Sequence, residues 1–555
     1  MTAVSLTSVN PTAPDSAAVP DGSPDRIVGR VVAVAGARVT ALLQRDRNGT
    51  RGPHLGDLVK IVTDHSTVFG FVTALNVDYP GQPNELRRAE LEMVGEIDHR
   101  AGDDAPFQRG VTAFPALDDK LAPATSDDLR RVFTRRLSAN QRSARIGALH
   151  QDHDIPAEIL ASELLGKHFA VLGTTGAGKS CALVTILRAI LSQHEFAHVL
   201  MLDPHNEYAT AFKDRAEVVT PDDLELPYWL LNFEELREMV IGTGSPQPDA
   251  DAVLLNQVVT QAKRNLAQSP EAAAQITIDT PVPYRLSDIA KIIDGILGKL
   301  DRPADAAAYH RIRERFQHMQ ADRRLSFMFP GAGSSGALQG LVTRDNMAKI
   351  LGRLFRVPVG GKPITILDTS GVPSEILNVV VSLLSRMSFD FALWSDRKAP
   401  VLLVCEEAHR YAPSDPHAGF EPTKRALSRI AKEGRKYGVA LCLISQRPSE
   451  LATTVLSQCS TIFALRMTSH KDQEFLAAIL PESSQGLMGE LPSLRNGQAI
   501  AVGEGVPLPT RIDFDRLAEE HRPRSGTAPF GTAWQQDQLQ AEDLNDVVKR
   551  WRHLD

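Results

Sequence analysis

Cysteine is nearly absent from this chain: Cys181, Cys405, Cys442 and Cys459 are the four among 555 residues. They are widely spaced and form no CxxC pair, which argues against a disulfide framework or a thiolate zinc site and for reduced packing cysteines of a cytosolic protein. Long apolar runs are missing as well. No stretch approaches the roughly 18 residues of a membrane span, and the opening "MTAVSLTSVNPTAPDSAAVPDGSPD" has neither a basic start nor an apolar centre. Residues 1–25 are therefore expected to be a disordered leader, and the protein cytoplasmic with no membrane partner. Positive charge is not in excess either. With 61 Lys and Arg against 68 Asp and Glu, the net charge is −7, so any nucleic-acid surface must be local. No internal repeat is found.

What is present begins with short β-type runs from Arg26: "RIVGRVVAVAGARVTALL", "GDLVKIVT", "TVFGFVTALNV" and "RAELEMVGEID", separated by turn-rich stretches. Near-alternation and valine richness predict a small antiparallel barrel over residues 26–110. Its only candidates for base stacking are Phe69, Phe71 and Tyr79, so an assembly or docking module is favoured over a nucleic-acid-binding barrel. A connector is expected over 111–150. Then the rhythm changes to nearly continuous apolar runs, "HFAVLG", "HVLMLDP", "PITILDTSG", "PVLLVCEEA", "VALCLISQRP" and "TIFALRM". Such runs belong to parallel strands covered on both faces, hence a doubly wound α/β core over 151–521. Helical spacing, with Leu254, Leu255, Val258, Val259, Ala262 and Leu266, marks an insertion at about 222–360. A polar tail over 522–555 ends in a short helix, "AEDLNDVVKRWRHLD".

"VLGTTGAGKS" (171–180) fits the phosphate-loop pattern in full and lies between a predicted strand and a predicted helix. Gly173, Gly176 and Gly178 let the backbone curl so that its N–H groups, including those of Thr174, Thr175 and Ala177, face phosphates. Lys179 supplies a point charge to the β- and γ-phosphates, Ser180 a hydroxyl to Mg²⁺, and Cys181 follows in the first helical turn. ATP and Mg²⁺ are thus the expected cofactors. The run "VLLVCEEA" ends on two carboxylates. On a second strand, expected to be adjacent to the loop strand, Glu406 would hold the metal and Glu407 would activate water. A tandem acid favours hydrolysis over transfer to a small molecule. Gln446, in "ISQRP", is either a γ-phosphate sensor or a polar strand terminus.

The helix "KRALSRIAKEGRKYG" (424–438) puts Arg425, Arg429, Lys432 and Lys436 on one face, with Arg435 at its end. A solvated basic face, an arginine finger reaching a neighbouring subunit and phosphate contacts in a pore all fit. "DPHNEYA" (203–209) is a metal site or, as favoured, a polar loop at the ligand-binding edge of the sheet. "HRIRERF" and "ADRRL" are expected to be solvated faces rather than DNA contacts.

Together and in this order, the barrel segments with "LLGKHFAVLGTTGAGKS", "LDPHNEYA", "LDTSGVP", "LLVCEEAHRYAP", "RIAKEGRKYGVALCLISQRPSEL" and "LSQCSTIFALRM" resemble the HerA family of hexameric DNA translocases, relatives of FtsK. "EEAHRYAP" followed by "EGRKYG" and "SQRP" is the specific part. The resemblance implies a RecA-like P-loop NTPase core with a helical insertion, preceded by the barrel and forming a homo-hexamer around double-stranded DNA. It implies Lys179 and Ser180 on nucleotide and Mg²⁺, Glu406 and Glu407 as Walker B and catalytic acids, and Gln446 as sensor. It also implies a trans arginine finger, left open between Arg429 and Arg435. Where the family often shows Gly, this chain has Asn206. Family members work with a NurA-like nuclease in end processing, or with sirtuin-like or other effectors in anti-phage defence, docked on the barrel. Two further readings stand beside the motor: a nucleotide-binding ring scaffold that gates an effector, and a small-molecule kinase.

Overall fold

The computed structural model describes residues 26–44, 52–81, 85–102, 105–134, 142–220, 223–242, 245–298, 305–329, 345–370, 372–481, 484–524, 530–535 and 543–552; the expected leader lies outside them. The chain forms two compact units, Met1–Arg136 with Glu482–Leu487, and Leu137–Pro481 with Met488–Asp555.

The first unit is an antiparallel barrel. Its strands are β1 (Gly29–Ala35), β2 (Arg38–Leu43), β3 (Leu58–Val62), β4 (Ser66–Asp78), β5 (Leu86–Asp98), β6 (Gln108–Arg109) and β7 (Lys120–Pro123). The order β2-β1-β7-β3-β4-β5 is closed by pairing of β2 with β5, and β6 adds to β5. Alternate residues point inward, and Val31, Val39, Ile61, Val68, Leu91 and Leu121 fill the interior. Phe69 and Phe71 are buried in the unit, and only Tyr79 of the three aromatics is exposed. Part of the segment expected as a connector belongs here: β7 sits between β1 and β3, so the ring cannot close without Lys120–Pro123. The helix Ser126–Phe133 follows behind a Thr125 capping box and is tied to β3 by a Lys60–Asp128 ion pair of 2.9 Å.

The second unit is built on an eleven-stranded sheet. Its strands are β8 (Ser143–Leu149), β9 (Pro156–Leu160), β10 (Phe169–Leu172), β11 (His198–Asp203), β12 (Ala216–Val219), β13 (Ile364–Asp368), β14 (Val401–Cys405), β15 (Val439–Ser445), β16 (Thr461–Leu465), β17 (Gln498–Gly503) and β18 (Thr510–Phe514). The order is β12-β13-β11-β14-β15-β10-β16-β17-β18-β8-β9. From β12 to β16 every pairing is parallel, and from β16 to β9 every pairing is antiparallel. The six apolar runs are β10, β11, β13, β14, β15 and β16, each fully or almost fully buried because helices cover both faces. One expectation is corrected. The strand carrying the two glutamates is not adjacent to the loop strand, because β15 lies between β10 and β14.

Helices Phe233–Val240, Pro248–Arg264, Leu286–Leu297 and Ala306–Ala321 form the insertion between β12 and β13. Of the cluster arginines, Arg313 pairs with Asp294 at 2.8 Å and Arg324 with Asp322 at 2.7 Å, while Arg311 pairs with buried Asp251 at 2.8 Å. One described helix, Ser374–Trp394, is long and apolar enough to cross a membrane, but 72% of its most apolar stretch is buried inside this fold. Arg386 within it pairs with buried Glu235 at 2.9 Å.

Candidate active site

The phosphate loop runs from the end of β10 into the helix Lys179–Leu191. Gly176 (φ 74°) and Gly178 (φ 100°) hold the left-handed conformation that side chains resist. A Cβ at Gly173 would come within 2.9 Å of Leu465 Cβ, so the loop is pressed against β16. Thr174 reinforces this, donating both its backbone N–H and its hydroxyl to the Arg466 carbonyl at 3.0 Å. Lys179 is buried and its Nζ donates to the Thr174 carbonyl at 3.2 Å. Burial lowers its pKa, and Glu407, Glu406 and Glu207 oppose that shift.

The two acids reach one crevice through a backbone device. Consecutive strand residues point to opposite faces. Glu407, however, adopts a left-handed conformation (φ 52°, ψ 43°) just past β14, which re-aims its side chain. A non-glycine residue there costs about 1–2 kcal/mol, a strain typical of functional sites. Gln446 at the end of β15 donates through Nε2 to Glu407 Oε1 and accepts from Thr175 Oγ1, so one glutamine links the phosphate loop to the second acid. His409 Nδ1 lies 3.3 Å from Glu407 Oε2.

The "DPHNEYA" loop joins them. Asp203 is buried, and its carboxylate accepts the backbone N–H groups of His205 (3.3 Å), Glu207 (3.1 Å) and Tyr208 (3.0 Å), which folds the loop back over the sheet edge. Burial pushes the Asp203 pKa up and these three donors oppose it. Asn206 has φ 52°, a left-handed position that asparagine tolerates better than other side chains. The fold brings Glu207 Oε2 to within 2.6 Å of Ser180 Oγ, which donates to it, and lets Tyr208 Oη donate to Glu406 Oε1 at 3.2 Å.

Glu406 is 4% exposed, and burial followed by the charges of Asp203, Glu207 and Glu407 pushes its pKa up to about 9. Its Oε2 and that of Glu407 are buried without a hydrogen-bond partner among the described residues. Crowded carboxylates, with Glu406 keeping one oxygen unbonded, beside a hydroxyl are an all-oxygen donor set that fits Mg²⁺. Ser180 and Glu406 would hold the ion, with Glu207 as a further oxygen, and it would supply the positive charge this cluster lacks.

The loop, Glu406 and Gln446 line a cavity of about 880 Å³. Its outer side is built from Asn496, Phe514, Arg516, Arg522 and Arg524, the last two from the expected tail. Arg429 and Arg435 do not line it. Both are exposed on the helix Glu421–Tyr437, where the Arg429 guanidinium stacks 4.0 Å above the Phe389 ring. Arg435 borders another cavity at the amino ends of β11, β14 and β15. Cys181 is exposed, while Cys405, Cys442 and Cys459 are buried and free.

Sequence reasoning weighed a metal site at Glu207 but favoured a polar loop, left Tyr208 without a role, and missed His409 and the tail arginines. The signal for Glu207 and Tyr208 was the Asp203 side chain, four and five residues before backbone donors it could cap. Nothing in the sequence signalled the arginines, which share the cavity with a phosphate loop more than 300 positions away.

Residues 144–388 match the family model described as "Helicase HerA, central domain". The DNA double-strand break repair helicase HerA of Saccharolobus solfataricus is 32% identical over 469 residues, spanning 80% of this chain and 84% of that protein. The helicase of the same name from Pyrococcus furiosus is 24% identical over 512 residues, spanning 87% and 85%. Among solved structures, VirB4 of Thermoanaerobacter pseudethanolicus superposes with a TM-score of 0.47 at 16% identity, over 69% of this chain and 98% of that one. With 32% identity to a helicase over 469 residues, most of the length of both chains, the chain belongs to the HerA family.

Proposed function

We propose that this protein is an ATP-driven motor that moves double-stranded DNA, working as a homo-hexameric ring with an effector docked on its barrel. The observation that carries the reading is the path Thr175–Gln446–Glu407. One glutamine touches both the loop that cradles phosphates and the acid placed to activate water, so cleavage at the γ-phosphate alters both of its partners at once.

In hydrolysis Glu407 accepts the proton of a water that attacks the γ-phosphorus, while Lys179 offsets the charge that develops on the phosphate oxygens. DNA as the substrate is supported by the relatives, which are named as double-strand break repair helicases. Arg429 or Arg435, exposed and outside their own chain's cavity, suit a finger that completes a neighbour's site. Lys432 and Lys436 on the same exposed face suit backbone tracking, with weak sequence preference and steep salt dependence. The buried aromatics of the barrel favour a protein-docking role over base stacking. A nuclease or sirtuin-like protein, in end processing or anti-phage defence, is the partner class.

The test is displacement of a triplex-forming strand from linear duplex DNA. Displacement that requires ATP and is lost in Glu407→Gln is expected. If the wild type hydrolyses ATP on DNA yet leaves the third strand in place, the scaffold reading replaces the motor.

A further inference from the structure

The phosphate cavity has an imbalance of charge. Glu207 and Glu406 line its inner side, with Glu407 bonded to the lining Gln446, against the single loop cation Lys179. A nucleoside triphosphate brings several more negative charges. Coulomb repulsion among them would oppose binding unless further cations face the ligand.

The outer side carries them. The chain leaves β18 at Phe514 and folds over the start of the phosphate-loop helix, where it is fastened at several points. The Asp515 backbone N–H donates to the Ile146 carbonyl at 3.0 Å, and its carboxylate holds Arg145 at 3.0 Å. His521 Nε2 lies 2.9 Å from Arg188 Nη2 on the loop helix. The Arg524 backbone N–H donates to the Glu207 carbonyl at 2.9 Å, linking this segment to the loop that carries the metal-side glutamate. Arg522 Nε donates to the Leu517 carbonyl at 3.3 Å, which positions the side chain and leaves both terminal nitrogens of its guanidinium for another partner.

Neighbouring arginines are used differently. Arg145, Arg188 and Arg511 are each paired with a carboxylate, of Asp515, Asp214 and Glu490. Among the described residues no carboxylate is paired with Arg516, Arg522 or Arg524, although all three border the cavity. The site of Arg522 can be fixed further. Arg522 and Cys181, the residue following Ser180, line the same cavity. Loop N–H groups cradle the α- and β-phosphates, whereas Lys179 reaches toward the γ-phosphate.

We propose that Arg522 and Arg524 bind the nucleotide's α- and β-phosphates in cis, so that the segment 514–524 is the outer wall of the nucleotide site. The inference rests on the ATPase reading of that site. Planar guanidiniums suit this task because they engage phosphate oxygens through paired N–H donors. Their role is to hold nucleotide. Chemistry at the γ-phosphate stays with the inner wall.

The experiment measures binding of a fluorescent ATP analogue and of its ADP counterpart, with steady-state turnover, on the full chain carrying Arg522→Gln, Arg524→Gln or both, beside Lys179→Ala. Each single change is expected to weaken both nucleotides by about tenfold, the double change by more, with kcat within about threefold. Arg522→Lys should recover part of the affinity. An affinity within twofold of wild type in the double variant overturns the proposal, as does a fall in kcat at unchanged affinity, which would mark a role between subunits. Loss of binding in Lys179→Ala with none in the arginine variants condemns the outer wall alone. A wild type that binds neither nucleotide condemns both readings.

Discussion

The two walls of the nucleotide cavity are made by different means. The inner wall stands on the carboxyl ends of β10, β11, β14 and β15, where Lys179, Glu406 and Glu407 are each less than a tenth exposed, Gln446 bridges Thr175 to Glu407, and Tyr208 donates to Glu406. The outer wall is an irregular segment beyond β18 with exposed arginines. A buried, mutually bonded group is preorganised, because each side chain fixes its neighbour and low dielectric magnifies charge. An exposed arginine contributes binding that is screened and replaceable. Substitutions inside should therefore act on turnover, and substitutions outside on occupancy.

The largest effect is expected from Glu407→Gln, which should lower kcat by about 10³ while nucleotide affinity stays within about threefold, read by turnover beside equilibrium binding. A parallel loss of affinity would break the division between the walls. Gln446→Ala should cost about 10–100-fold in kcat and remove most of the response to DNA, because it cuts the Thr175–Glu407 link without removing the acid. Arg522→Gln comes next, with about a tenfold rise in KM for ATP and little change in kcat. Smallest is Asn206→Gly, expected to leave turnover within about twofold, whereas Asn206→Val should lower stability by about 1–2 kcal/mol in thermal unfolding, since a β-branched residue resists φ 52°.

The same division describes what the sequence revealed. The inner wall was legible because its strands are covered on both faces and so read as continuous apolar runs, and because phosphate chemistry admits few residue types at fixed spacing. The burial of β14 and the pairing of "GKS" with "EE" needed no tertiary knowledge. The antiparallel half was not legible. β8 pairs with β18 across more than 350 residues, Ile512 opposite Leu149, and "SARIGAL" reads as a linker until that partner is known. The adjacency expected of the glutamate strand failed for a related reason: which strand lies next to β10 is set by topology, and no local pattern in β15 announces that it slips between. β7 was missed because "KLAP" carries a proline and too few β-branched residues to look like a strand. Asn206 holds a left-handed position, φ 52°, that its short polar side chain tolerates.

The central claim, that hydrolysis at Glu407 is coupled to DNA, is tested most directly by steady-state ATP hydrolysis with and without linear duplex DNA, on wild type and Glu407→Gln, at about 50 and 200 mM salt. The account predicts stimulation by DNA that weakens steeply at the higher salt and vanishes in the variant. Turnover that ignores DNA at both salt concentrations, or that persists in Glu407→Gln, would contradict it.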